Sequence, residues 1–180
     1  ADLDTLAARI KRRIPYSEAA AAPHHLTRRL DSLKRIAPKQ TRDQRILSVM
    51  RVLNLPAAGT GHTWMRSSQR ALGWRFLPIE LYRFDDGVYV MSAVNPDLIG
   101  REVLSIGGTP IDSAYAALAP YAMSDNRWSR ETHVQERLLN WANPLKAVGI
   151  IEQIDEVPVR LRTEEGSTKE IRIESMPPDT

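Results

Sequence analysis

Near residue 75 the spacing of apolar residues changes from about 3.6 to about 2, and this change divides the chain into a helical part and a β-rich part. Upstream, Leu3, Leu6, Ala7, Ile10 and Ile14 recur at helical spacing behind Asp2 and Asp4, and Pro15 closes the pattern. Pro23 suits the first turn of a second helix, with Leu26, Leu30, Leu33 and Ile36 or Ala37 on one face and Pro38 at its end. Thr41 followed by Gln44 makes a capping box for a third helix, whose Ile46, Met50 and Leu53 form a stripe up to Pro56.

Downstream the pattern is that of strands. Leu77, Ile79 and Leu81 alternate with other residues, Asp85-Asp86-Gly87 supplies a turn, and Val88, Val90 and Val94 continue on a returning strand. Glu102 to Ile106 reads as a third strand, with Gly107-Gly108 turning it back towards Pro110-Ile111 and Asp112 capping a short helix through Leu118. Val157, Val159 and Leu161 form a last hairpin with Ile171 and Ile173 around a Glu164–Ser167 turn. Between these β regions Ser129 can cap a helix with Val134, Leu138, Trp141 and Leu145 on one face, kinked or ended by Pro144.

Charge follows the same boundary. Residues 1–75 carry 15 Lys/Arg against 5 Asp/Glu and residues 76–180 carry 10 against 17, so parts of +10 and −7 hide inside a net charge of +3. A basic helical surface raises the alternative of a nucleic-acid-binding helical domain. No aromatic residues interleave the helical arginines as base stacking requires, so the reading adopted is a solvated or docking face without nucleic acid as partner.

Other chemistry is excluded by composition and spacing. The chain has no Cys, hence no disulfide, thiol nucleophile or thiolate site. No apolar run approaches the roughly 18 residues of a membrane span. His24, His25, His62 and His133 include no pair at i, i+4, and no phosphate loop is present, so neither a metal nor a cofactor is expected. Ser105 precedes Gly107, but Val103 stands where a nucleophile elbow needs glycine, which makes Ser105 a strand residue. His62, in Gly59-Thr60-Gly61-His62-Thr63-Trp64, is presented by a glycine-flanked segment. Two readings stay open for it: a general base or ligand contact, or a backbone hydrogen bond across the junction.

Gly100-Arg101-Glu102-Val103-Leu104-Ser105-Ile106-Gly107-Gly108-Thr109-Pro110-Ile111 resembles the strand–turn–strand segment of PDZ domains. With Asp86-Gly87-Val88-Tyr89-Val90 before it, the Glu165-Gly166 hairpin after it and Gly61-His62-Thr63 upstream, the chain is similar to the tail-specific (C-terminal processing) serine peptidases and their tricorn relatives. The resemblance implies an α+β fold: an N-terminal helical bundle over 1–70, then a PDZ-like β-rich domain over 71–176 with an inserted helix at about 127–148. It implies that a catalytic domain carrying the serine nucleophile follows in the parent, that His62 is a possible base there, and that this segment alone is inactive. A peptide or protein substrate would add as a strand, its carboxylate received by the segment of Gly73, Trp74, Arg75, Phe76 and Ile79, with Arg75 supplying charge. The inserted helix is longer than a minimal PDZ fold needs and is placed to cover that groove or to pack on a further domain. A periplasmic or secreted location is implied as well. The alternative is a stand-alone PDZ-like peptide- or protein-binding module without catalysis.

Overall fold

The computed structural model describes residues 3–6, 8, 23–57, 71–123 and 126–177. Its strand pairs are antiparallel and its helices are not interleaved as βαβ crossovers, so the class is α+β. The chain divides into two units, Ala1–Arg66 with Tyr121–Arg130, and Ser67–Pro120 with Glu131–Thr180. No helix among the described residues is long and apolar enough to cross a membrane.

In the first unit, α1 (Pro23–Ile36) and α2 (Arg42–Ala57) bury Leu30, Leu33, Ala37 and Val52 together, with Leu3 and Val49 packed against them. Pro38 sits in the 3-10 turn Ala37–Lys39 that follows α1. The capping box forms as the spacing predicts: Gln44 N–H donates to Thr41 Oγ1 at 3.3 Å, and Thr41 N–H donates to Gln44 Oε1 at 3.0 Å. Thr41→Ala is therefore expected to cost about 0.5–2 kcal/mol, measurable by thermal or urea unfolding. The buried face of α2 differs from the expected stripe, since Leu47 and Val52 are buried while Ile46, Met50 and Leu53 are half-buried. Apolar residues surround much of this helix, so periodicity alone does not choose its inner face.

The second unit begins its regular structure with the hairpin β1 (Ile79–Arg83) and β2 (Val88–Ala93), which has a bulge between Glu80 and Leu81. A second sheet has the order β4-β3-β5-β6, from β3 (Val103–Ile106), β4 (Thr109–Pro110), β5 (Glu156–Arg162) and β6 (Thr168–Glu174). Seven successive pairs, from Glu156 with Glu174 to Arg162 with Thr168, fix the register of β5 and β6. Two further pairs of main-chain bonds involve residues outside these strands. In one, Val90 N–H donates to Arg101 O at 3.0 Å and Gly100 N–H to Val90 O at 2.8 Å; in the other, Phe76 and Met176 exchange bonds of 3.0 and 2.8 Å. Alternation then sends Val88, Val90, Val103, Val157, Val159 and Leu161 into a common core.

Three helices complete this part of the chain. α3 (Ile111–Leu118) buries Ala114, Tyr115 and Leu118. Its N-cap is Pro110, without a side-chain cap bond; Asp112, expected as the cap, instead lies in the first turn. α4 (Arg127–Val134) is capped by Asn126 rather than Ser129: Ser129 N–H donates to Asn126 Oδ1 at 2.8 Å, and Ser129 hydroxyl receives Asn126 N–H at 3.4 Å. α4 runs on into a π-helical turn, Gln135–Leu139. The helix breaks at Trp141, which is extended, and α5 (Ala142–Ala147) follows. Pro144, expected to end the helix, sits in the first turn of α5, where its missing N–H leaves no helical bond unmade. The break comes earlier because Trp141 bridges to Phe76.

Candidate functional site

The segment expected to receive a peptide carboxylate is bridged on both sides at Phe76, to Trp141 and to Met176. Arg75 N–H donates to Asn143 Oδ1 at 2.8 Å, Phe76 N–H to Met176 O at 3.0 Å and Leu77 N–H to Asn140 O at 2.8 Å, so three successive amides already have acceptors. The Arg75 Nε–H donates to Ser175 Oγ at 2.8 Å, and its guanidinium also reaches the Ser175 carbonyl and, at 3.5 Å, Asp155. Trp74 is fully buried, at 0% exposure, and Ile79 is buried as well. Phe76 packs on Trp141 with ring centroids 5.9 Å apart. Gly73 is exposed, with φ 68°. Of the expected set, Arg75 and Phe76 are tied to Ser175 and Met176 of the same chain. His62 lies outside the described residues.

A different constellation lies at the outer edge of β1. Phe84 N–H turns towards the β2 side, donating to Gly87 O at 2.8 Å, so by alternation Arg83 N–H faces away from β2. There it donates to Gln135 Oε1 at 3.2 Å. The same oxygen accepts from the Tyr115 hydroxyl at 3.1 Å. Gln135 is buried, at 5% exposure. The Arg83 guanidinium lies 4.0 Å from the centre of the Tyr115 ring and forms an ion pair with Asp112 at 2.8 Å, joining β1 to α3. Burial pushes the Tyr115 hydroxyl up to about 12, which keeps it protonated and able to donate at any physiological pH. The π-turn packs against both β1 and α3.

The second feature is a cleft of about 500 Å³ whose lining includes Ile79, Val94, Leu98, Leu161, Ile171 and Ile173. Val94, read from the sequence as a strand residue, is 77% exposed at its mouth. Arg101 and Glu164, paired at 2.7 Å, stand on its rim. Among the described residues no cluster of three or more His, Asp or Glu could hold a metal ion.

No protein-family model and no curated protein matches the chain. The fold is similar to that of CPAF, a serine protease. Mature CPAF complexed with lactacystin superposes with a TM-score of 0.65 at 14% identity, over 97% of this chain and 34% of that one. A serine-to-alanine mutant of CPAF gives 0.66 at 14% identity over 98% and 33%, and uncomplexed mature CPAF 0.61 at 14% over 97% and 33%. The chain thus spans about a third of the length of these proteins.

Arg83, Tyr115 and Gln135 were not singled out by sequence reasoning. A signal for one of them existed: Gln135 is a polar residue directly beside Val134 in the apolar stripe of α4. A regular 3.6-residue helix places it at the margin of that stripe, and at the start of the π-turn it is buried with Leu138 and Leu139.

Proposed function

We propose that this chain is the substrate-recognition portion of a serine-type peptidase, a helical region followed by a PDZ-like domain, and that it does not cleave peptide bonds by itself. The observation that carries the reading is the outer edge of β1 lying beside α3, with the strand order β4-β3-β5-β6 behind it. A strand edge next to a helix is the geometry in which an extended peptide adds to a sheet, main-chain bonds giving affinity and alternate side chains specificity. The likeness to CPAF supports the peptidase context, because the chain corresponds to about a third of that protein. Within the described residues the only serines deep in the fold are structural: Ser175, 1% exposed, donates to Ile154 O, and Ser105 lies in β3.

The test is to incubate the purified 180-residue chain with a quenched fluorescent casein, and separately to titrate it with a fluorescein-labelled octapeptide library. No hydrolysis, with saturable peptide binding, is the expected result. Hydrolysis by the chain alone overturns the non-catalytic reading, and binding of no peptide by any version of the chain overturns peptide recognition.

A further inference from the structure

We propose that the π-turn is an intramolecular stand-in for a peptide strand: Gln135 occupies the hydrogen-bonding edge of β1, and the groove between β1 and α3 admits an extended peptide only when that turn withdraws. This rests on the recognition reading above and adds the regulation of the same groove.

Four observations carry it. First, among the described residues β1 is paired on one side only, to β2, and no described strand lies on its opposite edge. A main-chain N–H on that edge, Arg83, is nevertheless satisfied, and the acceptor is a side-chain amide oxygen with the chemistry of a peptide carbonyl. Second, that oxygen is held by a second donor, the Tyr115 hydroxyl of α3, so one group bridges the strand and the helix between which a peptide would lie. Third, Gln135 opens the π-helical turn that packs against both walls. Such turns are rare, cost regular hydrogen bonding and concentrate at functional sites, and in this one Gln135 is buried together with Leu138 and Leu139. Fourth, the substitution is incomplete. Arg83 Nε is buried and has no acceptor among the described residues, a deficit that a strand with its own carbonyls is better placed to relieve.

Among the described strands, the edge of β6 is a poorer candidate. Lys169, Glu170, Arg172 and Glu174 crowd it with charge, the usual protection of an edge against added strands.

The experiment compares the full chain with Gln135→Ala and Gln135→Met, using the fluorescein-labelled octapeptide library with apolar residues at alternate positions. Methionine keeps the volume and loses the acceptor, so it separates plugging from packing. A groove that is competent only in a minor population binds with an affinity reduced by that fraction, and freeing it is expected to tighten binding about tenfold in both variants. Hydrogen exchange at the Arg83 amide is expected to accelerate in both, while the β5–β6 amides stay protected. Wild-type binding as tight as that of the variants, or an unchanged Arg83 exchange rate, overturns the self-occupied groove and leaves peptide recognition standing. Faster exchange with no peptide bound by any version overturns recognition, and the regulatory role with it.

Discussion

Gly107→Ala is expected to destabilise the second unit by about 2–5 kcal/mol, enough to unfold a marginal domain. Two causes add. Gly107 has φ 59°, a conformation that costs an L residue about 1–2 kcal/mol. A Cβ there would also stand 2.1 Å from the carbonyl oxygen of Ile150 and 2.6 Å from Cγ2 of Ile151, and the first of these is backbone that cannot swing aside. Its own N–H is fixed to Pro158 O at 2.8 Å, so the turn cannot retreat without breaking the β3–β5 ladder. Gly108 is the control. It has φ 77° but nothing within 4 Å of a built Cβ, so Gly108→Ala should cost only the backbone term. Urea unfolding of the two variants side by side checks this: a clearly larger loss for Gly107→Ala is expected, and equal losses would mean that the Ile150 segment does not approach the turn.

Trp74→Ala is expected to cost about 3–5 kcal/mol, the range for emptying a core of a large aromatic side chain. The indole is 0% exposed, between Gly73 at a positive-φ turn and Arg75, whose side chain is anchored on Ser175. The same substitution on a solvent-facing binding loop would change stability by no more than about 0.5 kcal/mol. The unfolding midpoint in urea therefore decides whether residues 73–76 are a core strand or a recognition loop.

This segment also shows where the sequence stops being informative. Turns, capping and strand alternation are local, and they were legible: the Thr41 and Gln44 cap, the Asp85-Asp86-Gly87 turn, the Gly107-Gly108 turn and the β5–β6 hairpin all stand where their residue types place them. The partners of residues 75–77 are Asn140, Asn143 and Met176, as many as 100 positions away, and no local pattern announces them. The inner face of α2 was ambiguous for another reason, since apolar residues on several faces let packing, not period, decide. Gln135 was hidden by the regular-helix assumption itself. A polar residue at the edge of an apolar stripe reads as solvated on a 3.6-residue period, whereas Gln135, at the start of the π-turn, is a buried acceptor. The resemblance to tail-specific peptidases implied a strand-adding groove and an inserted helix placed to cover it or to pack on a further domain. It implied that Gly73, Trp74, Arg75, Phe76 and Ile79 receive the peptide, while the constellation of Arg83, Tyr115 and Gln135 lies at the other end of β1 from Ile79.

The amide resonances of uniformly ¹⁵N-labelled Gln135→Ala during titration with the octapeptide library test the central claim most directly. The account predicts that the Arg83 amide and the α3 amides around Tyr115 shift progressively and saturably, while those of Lys169 to Glu174 stay in place. Shifts confined to the β6 edge, or to residues 73–76, would contradict it.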